Sequence, residues 1–504
     1  MCNKNILGNI NGYPLDNQQL KAATSNNKYS MIIAGAGSGK STTIIGKIKY
    51  LIEIKKVNPD EILCISFTNE SVSSLKESIK KNCGTEIPVL TFHKLAYQIL
   101  KNNNTNLSLA PPNYLNFVVD EFFLKEDNFL AINNTFKFIK NKFHKKTWEE
   151  YLKIIKSRDF VDFKNIIINF LNLYLVQNSS IDKLTCIFAN SKHTKDIAFL
   201  KLVIAIYRTY EIEKDSQGLI DYNDMINRAT QIINKGGKIP KYKFLIIDEF
   251  QDTSIIRFEL ITAILKWNNS SLTIVGDDYQ SIYQFSGCNL DIFLNFNKFF
   301  KNAEILKIEN TYRNSQDLID VAGSFITKNP LQIKKNLKSS KKYNKPIKVI
   351  YEKPLILKKL LYSLNAFNNL KILILGRNSF DLKKYIDNDF VIDNKGNINL
   401  KNCDNHIRYL TVHKSKGLEA DIVIVVNLID DKFGFPNKIE NNKFLNLLTP
   451  QDNYPFEEER RLFYVALTRT KNEVYLLTQK NNSSIFVKEL LKDYKKYIEI
   501  YKIK

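Results

Sequence analysis

The sequence predicts an α/β protein with two parallel-sheet domains, the first of which carries a helical insertion. Short, continuous Val/Ile/Leu runs alternate with helix-length stretches in two regions, a pattern typical of parallel sheets covered by helices on both faces. Between about Lys94 and Asp215, strand signals are few and apolar residues recur at helical spacing, with many aromatics among them. The length of 504 residues is sufficient for about two to four domains.

Each predicted strand is a run of apolar, mostly β-branched residues. In the first region the predicted strands are Met31–Ala34, Ile62–Ser66, Val89–Thr91, Phe244–Asp248 and Leu272–Gly276. In the second region they are Ile305–Ile308, Ile347–Tyr351, Ile372–Leu375, Tyr409–Val412, Ile422–Asn427 and Val474–Thr478. We therefore expect a first domain from residues 1–94 and 215–290, a helical insertion at 95–214 and a second domain at 291–504.

The composition argues against several classes of protein. Hydrophobic residues make up 44% of the chain and charged residues 25%, which is globular rather than disordered or fibrous. The six cysteines form no CxxC pair, which argues against a zinc or iron–sulfur site and against a disulfide scaffold. The longest apolar runs are only strand-length, and the N-terminus lacks the apolar core of a signal peptide. We therefore expect a soluble intracellular protein of the cytoplasm, nucleoid or nucleus, not secreted and without a membrane partner.

The charge balance is strongly basic, because 74 Lys and Arg residues exceed 52 Asp and Glu residues and give a formal charge of +22. Such a balance favours a polyanion partner, most often nucleic acid. Part of the excess lies between Lys328 and Lys359, where eleven lysines accompany one glutamate. This segment is either a second, sequence-independent contact to phosphate or a solvated surface loop in a lysine-rich chain.

A glycine-rich run between a predicted strand and a predicted helix has the pattern of a phosphate-binding loop. Its residues are Ala34, Gly35, Ala36, Gly37, Ser38, Gly39, Lys40 and Ser41. Glycines let successive backbone N–H groups turn inward, and the helix N-terminus adds positive potential. We expect Lys40 on the β- and γ-phosphates of a nucleotide and the Ser41 hydroxyl on Mg²⁺. The alternative is a plain glycine-rich turn.

A phosphate-binding loop needs a second strand that ends in acidic residues to hold the metal. The strand Phe244–Asp248 ends in Asp248 and is followed directly by Glu249. We expect Asp248 to orient Mg²⁺ and Glu249 to accept the proton of the attacking water. Two adjacent carboxylates standing alone would more often cap a helix, but their pairing with the loop favours catalysis.

With these two motifs the chain resembles the superfamily 1A helicases of the UvrD/Rep/PcrA group. The family's motifs occur in order along both α/β regions, and the ordered set is far more specific than any single motif. They are Leu15–Gln19 (the adenine-reading glutamine motif), Ala34–Ser41 (I), Phe67–Glu70 (Ia), Thr91–Lys94 (Ib), Gly218–Asp224 (re-entry into the first motor domain), Asp248–Asp252 (II), Val275–Gly287 (III), Asn310–Asn314 (IV), Leu410–Glu419 (V) and Glu457–Arg469 (VI).

The resemblance implies two RecA-like motor domains that hydrolyse ATP with Mg²⁺. Arg313 and Arg469 occupy the positions of arginines that reach the γ-phosphate from the second domain, and such an arginine is worth ~10³–10⁵ in rate. Gln280 occupies the position of the residue that senses this phosphate. The family pattern also implies that adenine is read by Gln19 and stacked on by Tyr312, and that the ribose is met by Glu419.

The resemblance further implies single-stranded and tailed duplex DNA as partners, held by aromatic stacking and phosphate contacts. The residues carried over from the family pattern are Phe67, Thr91, His93, Tyr283, Phe285, Thr411 and His413. Phe285 stands where the family usually has Trp and keeps a stacking face, whereas Ser286 stands where the family usually has Arg and removes a cation. For Tyr283 or Phe285 taken alone, burial in a core is the usual role.

Typical family members carry an insertion in each motor domain, and the second insertion is absent or minimal here. Only about 32 residues separate Asn378 from Leu410, where it is expected, and a domain needs ~50 or more. The expected activity is an ATP-dependent single-stranded DNA translocase and DNA helicase with the family's 3′-to-5′ polarity. A DNA-dependent ATPase that loads or senses, with little unwinding, is the alternative. Protein partners are not predicted.

Overall fold

The computed structural model describes residues 7–105, 108–177, 181–367, 369–439, 443–448 and 454–503. Within these ranges, none of the helices combines the length and apolar character that a membrane crossing requires. Strands and helices alternate in two regions, and the region between them is almost entirely helical. The α/β class with a helical insertion is therefore confirmed.

All eleven predicted strands are present, and the described residues contain seven further short strands that were not predicted. The strands are β1 (Asn9–Ile10), β2 (Tyr13–Pro14), β3 (Tyr29–Ala34), β4 (Ile62–Ile65), β5 (Val89–Leu90), β6 (Ser108–Leu109), β7 (Leu219–Ile220), β8 (Phe244–Ile247), β9 (Ser271–Gly276), β10 (Glu304–Ile308), β11 (Ile347–Tyr351), β12 (Lys371–Gly376), β13 (Phe390–Ile392), β14 (Asn397–Leu400), β15 (His406–Thr411), β16 (Ala420–Val425), β17 (Thr470–Thr478) and β18 (Ile498–Ile500). The α-helices are α1 (Asn17–Thr24), α2 (Lys40–Lys49), α3 (Asn69–Cys83), α4 (Phe92–Asn102), α5 (Tyr114–Leu124), α6 (Phe129–Ile139), α7 (Trp148–Ile155), α8 (Arg158–Leu175), α9 (Ile181–Asn190), α10 (Thr194–Ser216), α11 (Tyr222–Asn234), α12 (Ile255–Asn268), α13 (Leu290–Leu294), α14 (Phe296–Phe299), α15 (Gln316–Ile326), α16 (Ile356–Leu364), α17 (Glu457–Leu467) and α18 (Ile485–Asp493).

The first sheet is parallel throughout, with the strand order β10-β3-β9-β8-β4-β5. Alternate residues of β3 enter opposite cores: Met31 and Ile33 pack with α4, α11 and α12, whereas Ile32 and Ala34 pack with α1, α2 and α3. Strand β9 separates β3, which leads into the phosphate loop, from β8, which leads into the acidic pair. The carboxyl ends of these three neighbouring strands therefore bring their loops together.

Strand β10 belongs to the first sheet, not to the second. Its position in the chain groups this strand with the predicted strands of the second region, but it pairs in parallel with β3, from Glu304 opposite Ser30 to Ile308 opposite Ala34. A buried parallel strand has the same apolar composition in either sheet, so composition does not show which sheet it joins. Because of this pairing, the residues of motif IV leave β10 beside the phosphate loop.

Helices α5–α10 form the insertion around a core of their own. The rings of Phe136, Phe143, Phe160 and Phe163 lie in mutual contact, with centroids 5.4–6.3 Å apart. A short segment of the second region, residues 443–448, packs against this core, and the Phe444 ring stacks on an insertion ring with centroids 3.9 Å apart. The insertion thus contacts both α/β regions.

The second sheet has the strand order β13-β14-β15-β12-β16-β17-β11-β18. The pairs from β15 to β18 are parallel, as predicted, whereas β14 pairs antiparallel with both of its neighbours. The stretch between Asn378 and Leu410, expected to hold at most a loop, forms the β13–β14 hairpin and extends the edge of this sheet.

The two α/β regions meet at the loops that follow β3 and β9. Ala36, Tyr279 and Ile282 of these loops are buried in the same apolar cluster as the second sheet. Arg461 on α17 donates from Nε to the carbonyl of Ser281 at 2.7 Å and is 1% exposed. The phosphate loop therefore lies at the boundary between the regions.

Candidate functional site

The phosphate loop turns between β3 and α2 with two glycines in the left-handed region of the backbone. Gly37 and Gly39 have φ angles of +70° and +80°. A Cβ at Gly37 would lie 2.5 Å from Cβ of Arg313, and one at Gly39 would lie 2.6 Å from Nε2 of Gln19. Gly37 needs glycine for space as well as for conformation, and Gly39 needs it for its left-handed conformation. Helix α2 begins at Lys40, so its unpaired N–H groups lie at the loop.

Motif IV holds this loop through its backbone. The Thr311 hydroxyl donates to the carbonyl of Ala36 at 2.8 Å, and the N–H of Tyr312 donates to the carbonyl of Gly37 at 3.0 Å. These bonds are possible because motif IV follows β10, the neighbour of β3. Two hydrogen bonds from motif IV therefore hold the backbone of the loop in this conformation.

The residues assigned to adenine lie beside the loop. Gln19 donates from Nε2 to the carbonyl of Ser38 at 2.9 Å, and its Oε1 accepts from the N–H of Asp16 at 3.0 Å. Its side chain is buried, and both ends of the amide are engaged by the protein. Tyr312 is half-exposed, and its hydroxyl donates to the Asp16 carboxylate at 2.7 Å. The side chains of Gln19 and Tyr312 therefore both contact Asp16, Gln19 at the backbone N–H and Tyr312 at the carboxylate.

The acidic pair follows β8 and faces the loop lysine. Burial, assisted by the adjacent Glu249, raises the pKa of Asp248. Glu249 adopts a left-handed backbone with φ of +50°, and its Oε1 lies 3.5 Å from Nζ of Lys40. Burial opposes the ionisation of Glu249, but Lys40 and Lys416 outweigh burial and lower its pKa. Glu249 is therefore held as a carboxylate beside the lysine.

Lys416 of motif V reaches this pair from the second region. Its Nζ donates to the carboxylate of Asp252 and, at 2.8 Å, to the carbonyl of Gln280, and it lies 3.8 Å from Oε2 of Glu249. Burial alone lowers the pKa of Lys416, but Asp252 and Glu249 reverse this and raise it. The lysine thus neutralises buried carboxylates of motif II from across the boundary.

Gln280 and Arg469 meet at the same boundary. Nη2 of Arg469 donates to Oε1 of Gln280 at 2.8 Å, and Nε2 of Gln280 donates to Oδ2 of Asp277 at 2.6 Å. The other hydrogen bonds of Arg469 go to two backbone carbonyls, at 3.2 and 3.4 Å. Burial, with Arg313 second, lowers the pKa of Arg469 to about 9. These acceptors are all neutral, so a phosphate would be a favourable partner for this buried cation.

Arg313 lies beside the loop but pairs with an acid. Its Nε donates to Oε2 of Glu419 at 2.9 Å, and Glu419 also lies 3.0 Å from Lys471. Both arginines are expected from the second domain, and Arg313 lies on the connection that leads from β10 of the first sheet to that domain. Arg469 does come from the second, directly before β17. Glu419, assigned to the ribose, lies between two cations.

The residues of the loop and the acidic pair fit Mg²⁺. The Ser41 hydroxyl and the Asp248 carboxylate are hard oxygen donors, which this ion prefers. Asp248 is buried next to a second carboxylate, a repulsion that a divalent cation would relieve. No group of three or more His, Cys, Asp or Glu side chains within the described ranges is arranged to hold a metal. Mg²⁺ bound here would take further ligands from water and nucleotide phosphates.

Three of the candidate DNA residues form one aromatic group between motifs III and V. The ring centroids of Phe285 and His413 lie 5.4 Å apart, and those of Tyr283 and Phe285 lie 6.1 Å apart. The Tyr283 hydroxyl donates to the carbonyl of His413 at 3.1 Å. Phe285 is 63% exposed, so its ring is open for stacking and the core-burial alternative does not apply to it. Burial and then Arg377 lower the pKa of His413 to about 4, which keeps the imidazole neutral.

A second aromatic group lies at the ends of β4 and β5. The Arg257 guanidinium lies 5.0 Å from the ring centroid of the half-buried Phe67. The His93 ring lies 5.2 Å from the ring of Tyr222, which is 59% exposed. Burial and the positive charge of Arg257 lower the pKa of His93 to about 4. Arg257 thus adds a cation near the two candidate residues.

The remaining candidates have local roles in the described structure. The Thr91 hydroxyl caps α4 and accepts from the N–H of Lys94 at 3.2 Å. Thr411 ends β15, close to the aromatic group. Ser286 is exposed, and its hydroxyl donates to the carbonyl of Tyr283 at 2.8 Å. An arginine at this position would have open space.

Sequence reasoning missed several residues that the structure brings into these sites. Gln251 donates from Nε2 to Glu249 and accepts, at 3.0 Å, from the N–H of Asp277, so it joins motifs II and III. Gln251 lies inside motif II and Lys416 lies inside motif V, and these positions are the sequence signal that could have identified both residues. Arg257 lies outside every motif, and no pattern in the sequence indicated it.

The arrangement defines a class of protein. A phosphate loop after β3, an acidic pair after β8, a glutamine after β9 and an arginine from a second sheet are the parts of a two-domain P-loop nucleoside triphosphatase. In this class the site is complete only when the second sheet is in place.

Known proteins agree with this class. Residues 15–301 match the UvrD/REP helicase N-terminal domain, and residues 388–481 match the UvrD-like helicase C-terminal domain. The chain is similar to DNA helicase IV of Escherichia coli, with 27% identity over 503 residues that cover 96% of this chain and 71% of that protein.

Two further relatives are covered less fully. A probable DNA helicase II homolog of Mycoplasma capricolum is 31% identical over 350 residues, which cover 66% of this chain and 44% of that protein. The ATP-dependent DNA helicase Rep of Buchnera aphidicola is 30% identical over 353 residues, which cover 67% of this chain and 49% of that protein. The chain thus spans about half the length of these two proteins. Because the N-terminal family match covers more than half of its residues, the chain belongs to the UvrD/REP helicase family.

Proposed function

We propose that this ATP-dependent DNA helicase moves along single-stranded DNA in the 3′-to-5′ direction and separates duplexes as it moves. The observation that carries the proposal is the hydrogen bond between Arg469 and Gln280, because it joins the second sheet to the phosphate site of the first. The polarity follows the family whose motifs the chain resembles. The substrate places the enzyme where cellular DNA is exposed, in the cytoplasm, nucleoid or nucleus.

The proposed division of the chain follows the sheets. Residues up to 94, together with those from 215 to the end of β10, form the first motor domain. Residues 95–214 form the insertion, and the second motor domain follows β10. Motif IV then lies on the connection between the two motors, which suits a segment that bends when they move.

The chain's own residues support hydrolysis of the γ-phosphate. Lys40 exchanges Glu249 for the phosphates, which leaves Glu249 free to receive a proton. Water attacks the γ-phosphorus, the bond to the bridging oxygen breaks, and the proton of the water passes to Glu249. The charge that builds on the phosphate is met by Arg469 and Arg313. Mg²⁺, when held by Ser41 and Asp248, adds positive charge at the phosphates.

Motifs III and V couple this reaction to the DNA track. Each motif has one residue at the ATP site and another in the aromatic group proposed to bind DNA. In motif III, Gln280 contacts Arg469, and Phe285 belongs to the aromatic group. In motif V, Lys416 contacts the carboxylates of motif II, and His413 belongs to the aromatic group. A shift of the second motor therefore moves both ends of each motif together.

One experiment tests this function. ATPase activity is measured with and without an oligonucleotide, and unwinding is measured on duplexes with 3′ or 5′ tails. A Lys40→Ala variant is the control for contaminating enzymes. We expect stimulation by single strands and unwinding from 3′ tails only. ATPase that is indifferent to single strands, or unwinding from 5′ tails only, would contradict the proposal.

A DNA-dependent ATPase with little unwinding is the second candidate. Two observations favour it: Ser286 leaves the track without the family's usual cation, and a hairpin occupies the place of the second insertion. Strong stimulation of ATPase without strand separation, in the same assay, would select this candidate.

A further inference from the structure

We infer that Lys335 is a positioning residue that sets the orientation of Gln280 through Asp277, without touching nucleotide itself. Lys335 lies on the connection between α15 and β11, inside the lysine-rich segment whose role the sequence left open. The inference rests on the proposed ATPase function and adds a residue to it that belongs to none of the recognised motifs.

The environment of Lys335 is closed to solvent. Its side chain is 1% exposed, and the side chains of Asp277 and Asp278 are 0% exposed. Nζ bonds to the Asp277 carboxylate and lies 2.6 Å from Oδ1 of Asp278, while the ring centroid of Tyr279 lies 3.5 Å from Nζ. A buried ammonium of this kind is stable only with its partners in place, so its position is tightly defined. Lys335 is therefore closed off from any phosphate group that approaches from solvent.

A continuous chain of hydrogen bonds leads from this lysine to the phosphate site. One oxygen of Asp277 takes the Lys335 bond, and the other accepts from Nε2 of Gln280 at 2.6 Å. Because an ionised carboxylate can only accept, Gln280 must present Nε2 to Asp277 and Oε1 to Arg469. Lys335 holds the Asp277 carboxylate in place through one of its oxygens, and so decides which end of the Gln280 amide faces the arginine.

A purely structural role is the competing explanation, and the chain offers a matched control for it. Lys328 lies on the same connection and pairs with Glu489 at 2.8 Å and with Asp493, both on α18. Its ion pairs do not touch motif III. Loss of Lys328 therefore reports what an ion pair of this connection contributes to stability alone.

The test uses the full chain with Lys335→Met, Gln280→Ala, the double variant and Lys328→Met, each assayed for DNA-stimulated ATPase and thermal stability. We expect Lys335→Met to lower kcat by ~10-fold or more with KM for ATP within about two-fold, because the loop contacts remain. In the Gln280→Ala background it should cause no further loss. Lys328→Met should keep the wild-type kcat. A normal kcat in Lys335→Met, or losses that multiply in the double variant, would overturn the inference.

A second variant guards against a folding defect. Lys335→Met with Asp278→Asn removes one of the two unpaired carboxylates, so Tm should recover while kcat stays low. Recovery of kcat together with Tm would show a structural role and overturn the inference. A folded wild-type chain without DNA-stimulated ATPase would contradict the proposed function. An active wild-type chain whose two Lys335 variants are equally active would contradict only the inference.

Discussion

Oε1 of Gln280 accepts a hydrogen bond from Nη2 of Arg469 at 2.8 Å, across the boundary between the two sheets. The guanidinium is buried and its hydrogen-bond partners are neutral, so its charge is not cancelled by direct contact with a carboxylate. A nucleotide γ-phosphate at this boundary would supply the missing negative charge. On the proposed function, this hydrogen bond couples ATP binding to the packing of the two regions.

Replacing Arg469 by Lys should lower kcat by ~10³-fold or more while KM for ATP changes by a few-fold at most. Lysine keeps the charge but lacks the planar fork that reaches Gln280 and two carbonyls together. Steady-state ATPase assays measure both constants. The control is Arg460→Lys on α17, the helix that precedes Arg469; the Arg460 guanidinium pairs with Glu489 at 2.7 Å, so this replacement should affect stability only. Near-normal kcat in Arg469→Lys would contradict the assigned role.

Replacing Glu249 by Gln should lower kcat by ~10²–10⁴-fold and leave ATP affinity unchanged or higher. The amide cannot accept the proton of water, and Lys40 loses a competing anion that lies 3.5 Å away. Binding of a fluorescent ATP analogue and ATPase assays separate the two effects. Glu53→Gln, which breaks an ion pair with Lys49 after α2, is the control. Weaker nucleotide binding in Glu249→Gln would show that Glu249 contributes to nucleotide binding and not to the hydrolysis step.

Replacing Ser286 by Arg should tighten binding to single-stranded DNA and steepen its salt dependence by about 0.7 in the log–log slope. The position is exposed beside the aromatic group, so a cation there can reach a backbone phosphate. Fluorescence anisotropy over a series of salt concentrations measures the slope. Ser324→Arg, at an exposed position on α15, controls for net charge. Equal slopes for the two variants would place Ser286 outside the track.

Acid should destabilise the fold in part through His413, because burial lowers its pKa to about 4 from the ordinary histidine value of 6.5. Between these values the unfolded chain binds a proton that the folded chain does not, so stability falls as pH drops, by up to about 1.4 kcal/mol per unit. His413→Asn should flatten the fall in free energy of unfolding between pH 6.5 and pH 5. His193→Asn, at an exposed position, is the control. An unchanged acid slope in His413→Asn would contradict this account.

The lysine-rich segment divides into two sets, and only one can meet DNA. Four of its lysines pair with carboxylates from other elements: Lys328, Lys335, Lys348 and Lys358. Replacing the exposed Lys338, Lys342 and Lys345 by Gln should weaken DNA binding and reduce the salt slope by up to about 2. Anisotropy titrations measure the change, and ATPase without DNA should stay constant. An unchanged slope would leave the segment with a role in solubility.

Local pattern was sufficient for the strands, the phosphate loop and the acidic pair, because each depends on residues adjacent in the chain. The apolar run Phe244–Ile247 predicts a buried strand independently of its surroundings. Gly37 and Gly39 supply the left-handed backbone that a phosphate loop of this kind requires. The membership of β10 was not predictable in this way, since its apolar residues would suit either sheet.

The sequence by itself determined the class of chemistry, from a phosphate loop at Lys40 and an acidic pair at Glu249, and its ordered motifs indicated the family. Only the tertiary structure decided which charges meet. It placed Lys335 and Lys416 among buried carboxylates and joined β10, the strand before Arg313, to the edge of the first sheet. The physical reason is that a lysine has the same local sequence signature in water and in an ion pair, and only the packing of distant segments removes the water.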